Sequence, residues 1–268
     1  MVALIVGVSF AVATMASTHG ATVRHKRMAA AGDICGDCRG TSDLILNSLP
    51  RFVLTLGDNA YDSGSLSEYN TKYDPNWGRF KDRTIPSAGN HEWNTPNAQG
   101  YRDYFGLGSG PLYGSFNRNQ WHFVRLDTDQ LASTGQENWM QADLAADTHV
   151  CEVVYGHHPR WSSGTEHGSQ SEMTGAWNIA AAAGVDIWLA GHEHNYERFA
   201  PINGIREFVV GTGGAGAYPF GSPIAGSEVR ITNVKGALFL KLGTDGTYSW
   251  RFRDIAGTVR DSGSGLCH

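Results

Sequence analysis

Val185-Asp186-Ile187-Trp188-Leu189-Ala190-Gly191-His192-Glu193-His194 is an apolar run that a glycine ends and two alternate histidines follow. Short β-rich apolar runs bounded by glycine read as buried strands. The same design occurs four times upstream: residues 28–32 precede Asp33, 52–57 precede Asp58, 84–89 precede Asn90 and His91, and 151–156 precede His157. In an open α/β sheet, ligands collect just beyond the carboxyl ends of the strands. Five such strands bring Asp33, Asp58, Asn90, His157, His192 and His194 to one rim. These are hard and borderline oxygen and nitrogen donors, suited to a pair of divalent or trivalent ions.

A single Gly-Asp or Gly-Asn-His usually marks no more than a turn. Five in series, ending in Gly-His-Glu-His, are a much more specific pattern. Two ions about 3.5–4 Å apart need a bridging carboxylate and separate terminal ligands. Asp33 and His194 suit one ion, Asn90, His157 and His192 the other, and Asp58 the bridge.

Around these motifs the pattern predicts strands over 26–33, 51–56, 84–88, 150–155 and 185–190. Helices are expected over 41–49, capped by Thr41 or Ser42, and over 65–80 with a break near Pro75, 137–146 and 170–183. Residues 112–116 and 121–127 alternate like paired strands. From Glu207 onward the helical pattern vanishes, and 208–210, 237–242 and 248–252 read as an antiparallel region, with glycine-rich loops at 108–110, 211–216 and 263–265. This α/β order followed by β-rich order fits two packed sheets with helices outside, in one domain over residues 21–268.

With 26 acidic against 21 basic residues, and no basic cluster beyond the four residues 24–27, the chain lacks the footprint of a nucleic-acid binder. Residues 2–16 are apolar except for Ser9 and Thr14, too short for a membrane span and of the length of a secretory apolar region. Residues 1–20 are therefore expected to be a signal peptide, although the first basic side chain is Arg24, and the protein to be exported without a stable membrane span. Four cysteines fit that compartment and allow three pairings. Cys35 and Cys38 are close in sequence, which leaves Cys151 and Cys267 as the long-range pair.

The series Gly32-Asp33, Gly57-Asp58-Asn59-Ala60-Tyr61, Gly89-Asn90-His91-Glu92, Val154-Tyr155-Gly156-His157 and Gly191-His192-Glu193-His194 resembles the calcineurin-like metallophosphoesterases. The tyrosine at Tyr61 points within them to the purple acid phosphatases, and the chain is closer in size to the compact bacterial secreted members. The resemblance implies a four-layer α/β/β/α sandwich of two mixed sheets flanked by helices. It also implies a ferric ion held by Asp33, Asp58, Tyr61 and His194, and a second ion (zinc, iron or manganese) held by Asp58, Asn90, His157 and His192. The first motif departs from the family pattern, reading Gly32-Asp33-Ile34-Cys35 where Gly-Asp-x-Gly is usual. The backbone beside Asp33 is therefore expected to differ, fixed by a disulfide at Cys35.

Such a site hydrolyses phosphoesters with a metal-activated water, and a poor leaving group needs a proton. His91, directly after ligand Asn90, is the expected general acid and substrate contact, with His158 and His167 as further phosphate contacts. The expected substrates are phosphorylated small molecules, cleaved as monoesters. A phosphodiesterase or nucleotidase on the same scaffold is the alternative, and a non-catalytic metal- or phosphate-binding module is disfavoured by His91. His19, His25, His122, His149 and His268 fall outside the motifs. Gly211-Thr212-Gly213-Gly214-Ala215-Gly216 matches a dinucleotide fingerprint, but Pro219, Gly221 and Pro223 forbid the helix it needs.

Overall fold

The computed structural model describes residues 1–2 and 25–268. The expected signal peptide lies outside the described residues apart from its first two. Among the described residues, thirteen strands form two mixed sheets. β1 (His25–Ala31), β2 (Phe52–Thr55) and β3 (Thr84–Ile85) run parallel. β11 (Gly236–Gly243), β12 (Thr247–Asp254) and β13 (Val259–Leu266) extend that sheet antiparallel from β1. In the second sheet β5 (Trp121–Arg125), β6 (Cys151–Tyr155), β7 (Ile187–Ala190) and β9 (Arg206–Val210) are parallel. β4 (Gly114–Arg118), β8 (Tyr196–Phe199) and β10 (Ser227–Ile231) join it antiparallel. The α-helices are α1 (Arg39–Ser48), α2 (Leu66–Glu68), α3 (Asn90–Trp93), α4 (Gln99–Phe105), α5 (Gln136–Ala146) and α6 (Thr174–Ala183).

Period-2 alternation divides the second sheet between two cores. Phe123, Val153, Tyr155, Ile187 and Leu189 face the first sheet. Val124, Val154, Trp188 and Ala190 face the other way, against Met140 and Leu144 of α5 and Ala176, Trp177 and Ala180 of α6. The buried residues of α5 are Gln136, Met140 and Leu144, a single stripe at four-residue spacing. Between the sheets Phe52 meets Phe123 edge-on at 5.6 Å and Tyr196 stacks on Phe252 at 4.0 Å. With α1 packed on β11 outside the first sheet, the layers are α/β/β/α as expected.

Both expected disulfides are present, Cys35–Cys38 and Cys151–Cys267, with Cα separations of 4.9 and 5.5 Å. The second spans 116 residues and fastens the C-terminal end to the start of β6. Closing so long a loop removes about 4–5 kcal/mol of chain entropy from the unfolded state.

Three local expectations are corrected. Helix α1 begins before Thr41 and Ser42, with Cys38 at its N-cap, so neither caps it. Thr41 instead donates back to the Cys38 carbonyl at 3.0 Å, and the Cys35–Cys38 bridge fixes where the helix starts. Residues 208–210 belong to β9, which is parallel to β7, and so continue the α/β order. Residues 263–265 form part of β13 and are not a loop: Gly263 pairs with Trp250 and Gly265 with Tyr248, where an added Cβ would enter each aromatic ring.

Candidate metal centre

The five motifs follow the carboxyl ends of β1, β2, β3, β6 and β7, three strands of one sheet and two of the other, so their turns meet above the seam between the sheets. Asp33, Asp58 and His192 adopt left-handed backbone, with φ of 56°, 48° and 70°. Strained backbone of this kind persists where the surroundings over-determine it and clusters at functional sites. The glycines before the ligands allow close approach. A Cβ on Gly191 would lie 2.7 Å from Asp33 Oδ2, and one on Gly57 (φ 79°) would collide with the His157 ring.

The structure brings all seven expected ligands together. Tyr61 Oη donates to Asp33 Oδ1 at 3.0 Å and to Asp58 Oδ2 at 3.2 Å, and lies 3.2 Å from His194 Nε2. His194 Nε2 is 3.2 Å from Asp33 Oδ1. Across Asp58, His157 Nε2 stands 3.3 Å from Asp58 Oδ2, 3.0 Å from Asn90 Oδ1 and 3.1 Å from His192 Nδ1. Asp58 lies between the two groups, its Oδ2 in contact with Tyr61 on one side and His157 on the other. Asp33 and His157 are completely buried.

The donor set fits cations. His157 Nδ1 donates to the Leu56 carbonyl at 2.8 Å and His194 Nδ1 to the Gly216 carbonyl at 2.7 Å. A carbonyl only accepts, so each Nδ1 carries a proton and both Nε2 atoms are turned toward carboxylates, the arrangement that orients metal-ligating histidines. The electrostatics agree. Burial opposes charge on His157, yet the Asp58 carboxylate beside it holds the imidazole up to about 10. Burial likewise opposes ionisation of Asp58, but His157 and His91 bring it down to about 2. Burial, then Asp33 and Asp58, push the Tyr61 phenol far above its usual range, and burial and the neighbouring histidines push His192 well below its own.

His91 donates its backbone N–H to Asp58 Oδ1 at 2.9 Å, and its Nδ1 donates to the Asp62 carbonyl at 2.7 Å. Its Nε2 is therefore left facing the cluster, 3.7 Å from Asp58 Oδ2 and partly open to solvent. His158 lies 4.3 Å ring to ring from His192, and its Nδ1 is 3.0 Å from Thr128 Oγ1. Burial, then the charge on His157, hold His158 down at about 3. His167 stacks on His192 at 4.0 Å. All three histidines border the cluster.

Four residues given no role in the sequence reading organise it. Glu92, wholly buried, accepts from the backbone N–H groups of Asp58 (3.0 Å), Asn59 (2.9 Å) and Gly89 (2.8 Å) and from the Tyr69 hydroxyl (2.9 Å). Burial and the charge of Asp58 push it up to about 7. Glu193 accepts from the backbone of His167 and Gly168 at 2.7 and 2.6 Å and so seats the His167 loop. Thr128 Oγ1 accepts from the backbone of both His157 and His158. Tyr218 stacks on His194 at 3.9 Å. The two glutamates carried a signal, since each is a charged residue within two positions of an expected ligand. Thr128 and Tyr218 carried none.

Comparison with known proteins agrees with this arrangement. A family profile described as calcineurin-like phosphoesterase matches residues 26–196. Tartrate-resistant acid phosphatase type 5 of Rattus norvegicus is 26% identical over an alignment of length 199 that covers 60% of each chain. The chain thus spans about 60% of that relative's length. Purple acid phosphatase 21 of Arabidopsis thaliana is 35% identical over 120 residues, 42% of this chain and 26% of that one. Among solved structures, purple acid phosphatase PPD1 from yellow lupin (Lupinus luteus) seeds superposes with a TM-score of 0.79 at 18% identity, over 90% of this chain and 53% of that one. GAP50, described as the anchor in the inner membrane complex of Plasmodium, superposes with a TM-score of 0.71 at 18% identity, over 91% of this chain and 89% of that one. Likeness at that identity speaks for the fold alone, so function has to be argued from the site.

Proposed function

Since this chain belongs to the calcineurin-like phosphoesterase family, we propose that it is an exported, metal-dependent hydrolase of small phosphomonoesters, of purple acid phosphatase type. The observation that carries the reading is the convergence of the other six expected ligand side chains around Asp58, with the free Nε2 of His91 turned toward the same point. A ferric ion at Asp33, Asp58, Tyr61 and His194, and a divalent zinc, iron or manganese ion at Asp58, Asn90, His157 and His192, would supply Lewis-acid polarisation of the phosphoryl oxygens and a nucleophile at near-neutral pH.

The remaining work falls to the chain's own groups. His91 is anchored through Nδ1 to a carbonyl, so its second proton sits on Nε2 and passes to the leaving oxygen as the phosphorus–oxygen bond breaks. Contact with solvent then allows that nitrogen to be reprotonated. His158, braced by Thr128, and His167, held by stacking and by Glu193, bind the non-bridging phosphate oxygens. Two disulfides with no free cysteine among the described residues support an oxidising compartment.

The test compares hydrolysis of p-nitrophenyl phosphate with that of its bis-ester, with metal analysis of the same sample. Faster turnover of the monoester by protein carrying two ions per chain is expected. Preference for the bis-ester would make the chain a phosphodiesterase, and inactivity with both sites loaded would refute the catalytic reading.

A further inference from the structure

At the opposite end of the parallel strands β5 and β6, a second cluster of ligand-type side chains joins β5 to the connection between α5 and β6. We propose that His122, Asp147 and His149 form an additional binding site for a divalent transition ion such as Zn2+, which fastens that connection to the sheet. Both histidines fall outside the sequence motifs. The fold unites residues 122, 147 and 149 so that their donor atoms all lie within 4.8 Å of one another.

Hydrogen-bond direction shows what the cluster lacks. His122 is buried, and its Nε2 is 2.8 Å from Asp143 Oδ2. A carboxylate only accepts, so that nitrogen carries a proton. In the neutral imidazole Nδ1 is then a lone pair, and it faces Asn117 Oδ1 at 2.6 Å and Asp147 Oδ1 at 3.5 Å. His149 Nδ1 lies 2.6 Å from the same Asp147 oxygen and by the same rule donates to it, a proton that a bound ion would displace. The other Asp147 oxygen accepts the His149 backbone N–H at 3.0 Å, which holds the carboxylate so that Oδ1 aims between the two imidazoles.

Acceptors converging on a buried lone pair call for positive charge. Ligands in a tetrahedral site at about 2.0–2.2 Å from zinc stand roughly 3.3–3.5 Å apart. His122 Nδ1 and Asp147 Oδ1 are already 3.5 Å apart. The two 2.6 Å contacts, to Asn117 Oδ1 and from His149 Nδ1, would open by under about 1 Å to admit an ion. Two imidazoles, a carboxylate and the Asn117 amide oxygen make a nitrogen and oxygen set suited to zinc. The outer partner is in place too: Asp143 backs His122 as carboxylates back metal-bound histidines, and Ser115 donates to its other oxygen at 2.8 Å. Partial exposure of His149 gives an ion a way in.

The experiment measures zinc per chain in full-length wild type, His149→Ala and Asp147→Asn after equilibration with excess Zn2+ and removal of loosely held metal. Wild type is expected to retain one equivalent more than either variant. Its melting temperature should rise with zinc by more than theirs, while hydrolysis of p-nitrophenyl phosphate stays the same. Because a difference is read, the result does not depend on how many ions the first centre holds. Equal zinc in all three proteins would overturn the proposal. So would nitrogen NMR of zinc-saturated wild type showing both His122 ring nitrogens protonated, since a proton would then provide the charge. That measurement needs no variant, so it decides even where a substitution prevents folding.

Discussion

Replacing Glu92 by glutamine tests whether the centre depends on the carboxylate beneath it. The substitution preserves shape and exchanges one oxygen for an NH2 group. Oε2 accepts from the backbone N–H of Asp58 at 3.0 Å and of Gly89 at 2.8 Å. Oε1 accepts from Asn59 at 2.9 Å, Ala60 at 3.4 Å and the Tyr69 hydroxyl at 2.9 Å. Whichever way the amide turns, at least two buried backbone donors face another donor. Each orphaned group costs about 1–3 kcal/mol, so Glu92→Gln should destabilise by about 2–6 kcal/mol. That is a large share of the 5–15 kcal/mol, roughly, that holds a typical domain folded. Asp58 and Asn90 move with the turns Glu92 ties together, so metal affinity should also fall by about 10–100-fold. Urea unfolding of metal-free protein at about pH 8, where the carboxylate is ionised, reads the first effect, and chelator competition reads the second. Stability within about 0.5 kcal/mol of wild type together with unchanged metal retention would refute the reasoning, since a change that small is ordinary for a surface site.

What was legible in the sequence follows from how local each signal is. The glycine-terminated runs before Asp33, Asp58, Asn90, His157 and His192 were readable because the strand, the tight turn and the ligand are neighbours in the chain. The turns also explain the glycines, which must pass close to other ligands. Glu92 was marked in the sequence by its place beside Asn90, but its task was not, because its donors come from the turn at residues 58–60, brought to it by the pairing of β2 with β3. Thr128 was hidden for the same reason, since only the parallel pairing of β5 and β6 sets it under His157 and His158. The strand β13 was misread as a glycine loop because glycine weakens a strand on its own. Here the missing side chains make room for Trp250 and Tyr248, a fact of the partner strand. Residues 208–210 were assigned to the antiparallel region because strand direction depends on the neighbour chosen, which local pattern does not encode.

His91→Ala should slow turnover of substrates with poor leaving groups by about 10²–10⁴-fold and of good ones by less, while both ions are retained. Equal losses across leaving groups in steady-state kinetics would remove His91 from the role of acid. Asp261 links β13 to β8 and accepts from Arg198 Nε at 2.7 Å, Tyr196 Oη at 2.7 Å and Trp250 Nε1 at 3.1 Å. Burial opposes its charge, but these donors, led by Arg198, hold it below the usual carboxylate range. A depressed folded value stabilises above the unfolded value of about 3.9, and that contribution is lost as pH falls through the folded one. Asp261→Asn should therefore lower stability at neutral pH and flatten its decline in acid; an unchanged pH dependence of the melting temperature would count against it. The Tyr61 assignment can be read by eye. A phenolate bound to ferric iron donates charge into the metal, so the iron-loaded protein should absorb in the visible and Tyr61→Phe should lose that band. Activity should fall less than colour, because Asp33, Asp58 and His194 surround the same point without it. A colourless wild type with stoichiometric ferric iron would mean that Tyr61 only donates hydrogen bonds to Asp33 and Asp58, and the purple-phosphatase reading would fail while the wider phosphoesterase reading stood.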